Sequence, residues 1–170
     1  ENSLDLLLAD LALHKIDMVI ADGPIPSGVK IRGFNHALGQ SGVTFLATEA
    51  LVSALQGTFP QNLDGAPLLL PSDTNLVQSR LLNWFDSQHI HPLVVGEFDD
   101  SALMKVFGQA GKGVFVAPTA IADEICKQYA VQTVGSIDEV SEEFFAISLE
   151  RRITHPAVVA ITEAARAWLN

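Results

Sequence analysis

The sequence is poor in three features that would define common classes of protein. It holds a single cysteine, Cys126, which excludes an internal disulfide framework and a zinc site built from several cysteines. No apolar run approaches the roughly 18 residues of a membrane-spanning helix. Basic residues are scarce, with 10 Lys and Arg against 20 Asp and Glu and a formal net charge of -10. Because cations that displace counterions drive most duplex binding, this chain by itself is expected not to bind nucleic acid.

What is present is the composition of a folded domain. The 170 residues are 48% hydrophobic and 18% charged, which excludes a disordered chain, a collagen and a coiled coil. That length suffices for one sizeable core or for two small lobes. A lone cysteine is typical of a reducing compartment, so we expect the protein in the cytoplasm.

Short apolar runs alternate with segments of helical period. The runs lie at 18–21, 43–47, 68–70, 93–95, 114–117 and 144–149, and they predict buried strands of the kind found in parallel sheets. Helices are predicted over 4–11, 76–88, 103–107, 121–129 and 156–169, the third ended by Gly108 and Gly111 and the last begun by Pro156. This alternation predicts an α/β fold, although it opens on a helix with no strand before it.

Polar residues follow several of the predicted strands, where ligands of open α/β sheets bind. We expect a pocket lined by Asp22, Ser72, Thr74, Asp99 and Thr119. For each residue taken singly, capping of the next helix is the more common role. The chemistry of the pocket stays open, because helix N-termini favour anions whereas Asp22 and Asp99 favour a cation or an amine.

Catalytic motifs are absent from the sequence. Residues 39–42 (GQSG) do not form a nucleophile elbow, and residues 108–113 (GQAGKG) form neither a P-loop nor a dinucleotide fingerprint. His89 and His91 lack partners at metal-ligand spacing, so a solvated loop is expected there. The sequence therefore predicts a protein that is not an enzyme.

Several segments resemble a known family. Residues 81–88 (LLNWFDSQ), 96–108 (GEFDDSALMKVFG) and 114–119 (VFVAPT) are similar to the effector-binding domain of LysR-type transcriptional regulators. Residues 17–27 (DMVIADGPIPS) and 150–158 (ERRITHPAV) resemble a sodium-responsive activator within that family. The resemblance extends over essentially the whole chain, and the segment 81–108 is its most specific part.

The resemblance implies a two-lobed α/β fold like that of type 2 periplasmic binding proteins, with the effector in the cleft. Lobe I would comprise 1–46 and 147–170, and lobe II would comprise 47–146. Two crossover strands would carry the hinge at Phe45, Ala47, Phe145 and Ile147. The family's winged helix-turn-helix and the leading strand, helix and strand of lobe I have no counterpart in this sequence. Lobe I would then expose sheet edges, which proteins normally avoid. We therefore expect either that this sequence omits part of the polypeptide or that another chain completes lobe I, and we favour omission.

The family also implies a function and partners. The chain would be the signal-sensing domain of a transcriptional activator of a sodium/proton antiporter gene, responding to sodium or alkaline stress. Its effector would be Na⁺ or a small molecule, with Asp22 and Asp99 as candidate sodium ligands and no other cofactor. Promoter DNA would be bound by the absent N-terminal domain, RNA polymerase would be contacted by the full-length protein, and the assembly would be a homodimer or tetramer with no membrane partner.

Two other functions stay open. A solute-binding protein of a transporter shares this fold, and the residues encoded before Glu1 would distinguish the two. A small hydrolase or transferase on an α/β sheet is disfavoured by the missing nucleophile motif.

Overall fold

The computed structural model describes residues 2–72 and 76–169. The helices are α1 (Leu4–Ala12), α2 (Glu49–Ala54), α3 (Leu76–Ser87), α4 (Ser101–Gln109), α5 (Ala122–Tyr129) and α6 (Pro156–Leu169). The strands are β1 (Val19–Ala21), β2 (Phe34–Ala47), β3 (Pro67–Pro71), β4 (Leu93–Phe98), β5 (Phe115–Pro118) and β6 (Gln132–Ser148). No helix in these described ranges is long and apolar enough to cross a membrane.

Internal contacts divide the chain into two compact units. Unit 1 comprises residues 1–41 and 142–170, and unit 2 comprises residues 42–141. Strands β2 and β6 each run from one unit into the other. The lobe boundaries predicted from the sequence lie between residues 46 and 47 and between residues 146 and 147. Each is five residues further along the chain than the corresponding boundary between the units, and the assignment of lobes stays a prediction.

Unit 1 has a small apolar core. Leu8 and Leu11 of α1 are buried, and they belong to one cluster with Val19 of β1 and Ile147 of β6. Strand β1 pairs antiparallel with β6, with Val19 opposite Ile147. It stands at the end of the strand order β1-β6-β2-β5, so within the described residues its second edge has no strand partner.

Unit 2 holds the larger core. Strands β3 and β4 pair in parallel, and Leu68 of β3 also bridges in parallel to Val114 just before β5. Helix α3 buries one face because its apolar residues recur at helical spacing. Two of them, Trp84 and Phe85, pack on Phe45 of β2 with ring centroids 6.0 and 5.9 Å away.

The predicted elements are largely confirmed. All six apolar runs lie wholly or mostly in strands, and all five predicted helices are present, with Pro156 as the first residue of α6. The run at 43–47 is the end of a 14-residue strand, the run at 144–149 lies at the end of a 17-residue strand, and α2 was not predicted.

Three expectations were wrong. Strand β1 pairs antiparallel with β6, and β2 pairs antiparallel with β5, because an apolar run reports burial and not the direction of the neighbouring strand. The run at 93–95 is exposed, at 61, 40 and 47%. Gly108 lies inside α4 and does not end it, whereas Gly111, with φ of 71°, follows the helix in the left-handed region.

Candidate functional site

Ser72 and Asp99 lie side by side at the end of a parallel strand pair in unit 2. Pro71 of β3 is opposite Phe98 of β4, and the Ser72 N–H donates to the Phe98 carbonyl at 2.8 Å. Asp99, the next residue after β4, is exposed. Asp100 rather than Asp99 caps α4, since its carboxylate accepts from the N–H of Ala102 at 2.7 Å. The Asp99 carboxylate is therefore not committed to capping that helix.

Thr119 lies at the same end of this parallel arrangement. The Val114 N–H donates to the Pro67 carbonyl, and the Leu69 N–H donates to the Val114 carbonyl, both at 2.8 Å. Strand β5 therefore runs in the same direction as β3. Thr119 follows directly after the last residue of β5, Pro118. Three of the predicted pocket residues thus follow strands whose carboxyl ends face the same way, and Thr74 lies outside the described residues.

A chain of three hydroxyl groups extends inward from Thr119. The Thr44 hydroxyl donates to the Thr119 hydroxyl at 2.9 Å and pairs with the Ser136 hydroxyl at 2.8 Å. Thr44 is only 1% exposed, and its single proton goes to Thr119, so Ser136 is the donor in the second bond. Thr119 is exposed and keeps its own proton and one lone pair. It can contact either an acceptor oxygen or a cation.

Gly42 allows β2 to pass close to this hydroxyl chain. A Cβ at Gly42 would lie 2.6 Å from both the Asp138 carboxylate and the Ile137 carbonyl, and 3.4 Å from the Thr119 hydroxyl. The missing side chain therefore leaves room for a carboxylate beside the hydroxyl groups. Asp138 adds a negative charge to this part of unit 2.

Sequence reasoning missed Thr44, Ser136 and Asp138. Thr44 carried a usable signal, because it is the single polar residue inside the apolar run 43–47. Ser136 and Asp138 carried none, since the strand that holds them was predicted only from residue 144. Both reach the site through the pairing of distant strands.

Asp22 belongs to unit 1, where it is exposed and directly follows β1. Among residues 2–72 and 76–169, no group of three or more His, Cys, Asp and Glu side chains could hold a metal ion. Of the predicted hinge residues, Phe45 and Ala47 are buried on β2, and Ile147 and the half-buried Phe145 lie on β6 opposite β1. Their role as a hinge stays a prediction.

Comparison with known proteins places these features in a family. A family model described as LysR substrate binding domain matches residues 1–170. The chain is 40% identical over 161 residues to the transcriptional activator protein NhaR of Escherichia coli (strain K12), and to the protein of the same name from Shigella flexneri. These matches cover 95% of this chain and 52% of each relative. The chain thus spans about half the length of the curated relatives it matches.

Solved structures show the same fold at low sequence identity. The reduced regulatory domain of OxyR2 from Vibrio vulnificus superposes with a TM-score of 0.70 at 11% identity, covering 99% of this chain and 79% of that one. The effector binding domain of AmpR from Citrobacter freundii gives 0.64 at 20% identity, covering 94 and 78%. The effector binding domain of QuiR in complex with shikimate also gives 0.64, at 15% identity, covering 99 and 78%. The predicted fold class is confirmed.

Proposed function

The chain belongs to the LysR substrate-binding domain family, and we propose that it is the effector-sensing domain of a longer transcriptional activator. The observation that carries the proposal is the grouping of Thr119, Ser72 and Asp99 at the carboxyl ends of similarly directed strands in unit 2. Ligands of open α/β sheets bind at such strand ends. The named relatives are regulators and regulatory domains, and no enzymatic role is proposed.

In this proposal the effector binds at these strand ends in unit 2, with Asp22 of unit 1 as a further proposed contact. The proposed lobes are 1–46 with 147–170 and 47–146, and the proposed hinge residues on β2 and β6 are Phe45, Ala47, Phe145 and Ile147. An effector can bias an equilibrium between two conformations only by binding one of them more tightly than the other. The response therefore depends on contacts that differ between the two conformations.

The proposed signal is sodium or alkaline stress, and the proposed target is a sodium/proton antiporter gene. What supports this is the 40% identity to an activator named NhaR over nearly the whole chain. Asp22 and Asp99 are the proposed sodium ligands, because hard cations take carboxylate oxygens. Neither side chain has a hydrogen bond or ion pair among the described contacts that would compete with a cation.

The test replaces each carboxylate in the full-length protein, as Asp22→Asn and Asp99→Asn, and measures promoter activation against sodium concentration. Both substitutions remove a charge and keep the shape, so each is expected to shift the response to higher sodium by about tenfold or more. Potassium at equal ionic strength controls for screening. Asp100→Asn is the matched control, since asparagine caps a helix as well as aspartate does. An unchanged sodium response in both test variants would remove them from the mechanism.

The remaining partners are proposed from the family. The full-length protein is proposed to bind promoter DNA through a winged helix-turn-helix outside this sequence, to contact RNA polymerase, and to assemble as a homodimer or tetramer in the cytoplasm. The chain itself, with its net charge of -10, is proposed to make no contact with nucleic acid.

A further inference from the structure

Unit 1 contains a cavity of about 160 Å³ near the end of β1 that is opposite to Asp22. Asp17 lines it from just before β1, and Ser148 lines it from just after Ile147, the partner of Val19. Asp22 follows the other end of β1. The cavity is therefore distinct from the effector site proposed above.

The fixed charges of the cavity wall are negative. Asp17 and Glu150 contribute carboxylates, and His14 and His155 contribute imidazoles. Arg151 and Arg152 follow Glu150 in the chain, but neither of them and no lysine lines the cavity. Lys15, the nearest lysine along the chain, is held by the Asp10 carboxylate at 3.0 Å. The dipole of α6 places the equivalent of about half a positive charge at its N-terminus, and the two full carboxylate charges outweigh it. With both imidazoles neutral, the wall carries a net negative charge and favours a cation.

One side of the cavity is held in place by hydrogen bonds. The carbonyl of Glu150 accepts from the Ser148 hydroxyl at 2.9 Å and lies 3.2 Å from Nε2 of His36. Thr154 donates its hydroxyl proton to one carboxylate oxygen of Glu150 at 2.9 Å. Ser148 is only 4% exposed. The Glu150 carboxylate is thus oriented by its neighbours, and its second oxygen has no partner among the described contacts.

The rest of the wall has an aliphatic part and a polar part. Leu11, Ile16, Leu149, Ile153 and Val158 form the aliphatic part, and His14, Thr154 and His155 also line the cavity. We propose that this cavity binds a small aliphatic ammonium ion, with its head at Asp17 and Glu150 and its hydrocarbon chain against the aliphatic wall. The chemistry fits because carboxylates bind the charged head and burial of methylene groups favours the tail.

The probe is n-butylammonium chloride, titrated into the 170-residue chain and followed by amide ¹H–¹⁵N spectra, with sodium chloride keeping the ionic strength constant. Saturable shifts are expected at residues 14–17 and 148–155. Butyrate and 1-butanol have nearly the same tail and lack the positive charge, and they are expected to bind at least about tenfold more weakly.

Variants then test the two carboxylates. Asp17→Asn and Glu150→Gln are each expected to raise the Kd for n-butylammonium, and together by about tenfold or more. Asp5→Asn and Glu163→Gln, at exposed helical positions that do not line the cavity, are the matched controls and should leave the Kd unchanged. Asp17 is exposed, so its single substitution keeps the test valid if the double variant unfolds.

The proposal fails if 1-butanol or butyrate binds as tightly as n-butylammonium, or if the two cavity variants retain the original Kd. It also fails if no saturable shifts arise at these residues. None of these outcomes depends on promoter activation, so they are separate from the test of the effector site.

Discussion

At the scale of single residues, Thr44 is the most informative position. It lies in an apolar run and is 1% exposed, which would be costly for a hydroxyl group without partners. Its two bonds, to Thr119 and Ser136, satisfy the group. Since both partners are exposed, they carry the hydroxyl chain from the buried strand to the surface.

Thr44→Val tests this chain, because valine keeps the shape and removes the hydroxyl. The free energy of unfolding in urea is expected to fall by about 1 kcal/mol, the net value of a buried hydrogen bond. Ser136→Ala should lower the free energy of unfolding by less, because Ser136 is exposed and water can replace its hydrogen bond to Thr44. In the double-mutant cycle the coupling energy is expected to be about 0.5–1 kcal/mol. A coupling energy of zero would mean that the two hydroxyl groups do not interact.

At the scale of elements, Gly108 lies where α4 packs closely against β5. A Cβ at Gly108 would lie 2.1 Å from a ring carbon of Phe115, which is fully buried on β5. The glycine therefore permits a close approach of helix to strand. The sequence pattern alone could not separate this role from a helix end, because both uses select glycine.

The overpacking caused by Gly108→Ala is accordingly expected to cost about 1–3 kcal/mol of stability. Helix propensity works in the opposite direction, since alanine exceeds glycine by about 1 kcal/mol in a helix interior. Chemical unfolding of the 170-residue chain measures the sum of the two effects.

The ring of Phe115 provides the control for this prediction. In combination with Phe115→Leu, Gly108→Ala should cost less than it does alone, because the smaller side chain makes room for the added methyl group. Gly28→Ala, at a glycine with no atom within 4 Å of the added Cβ, should be nearly neutral. Equal effects at Gly28 and Gly108 would contradict the packing explanation.

At the scale of the whole molecule, the two units differ in how much apolar surface they bury. Among the described residues, the apolar cluster of unit 1 contains four buried side chains and that of unit 2 contains twenty-two. The tryptophans follow the same division, since Trp84 in unit 2 is 7% exposed and Trp168 on α6 is 53% exposed. Because burial of apolar surface is the main stabilising contribution, unit 1 should open at lower free energy.

Amide hydrogen exchange of the 170-residue chain measures this difference. Protected amides of α1 and β1 are expected to exchange at least about tenfold faster than those of α3 and β3. Acrylamide quenching gives an independent comparison, with Trp168 quenched in the folded state and Trp84 protected. Equal exchange rates in the two units would show that they unfold as one cooperative body.

Much of the fold was predictable from the chain because helix and strand periodicity are local properties. The apolar spacing of α3 and the run preceding Thr119 identify their elements without knowledge of any neighbour. The strings at 81–88 and 96–108 also carried the family resemblance, which comparison over the whole chain then supported. Predicting Ser72, Asp99 and Thr119 at strand ends required only the order of elements.

Tertiary structure decided the rest. Thr44 lies 75 positions from Thr119 and 92 from Ser136, so their hydroxyl groups meet only when β2, β5 and β6 are brought together. The antiparallel pairing of β1 with β6, the place of Gly108 inside a helix and the cavity beside Glu150 depend on the same long-range contacts. A sequence determines which faces must be buried, whereas the partner of each face depends on packing among residues far apart in the chain.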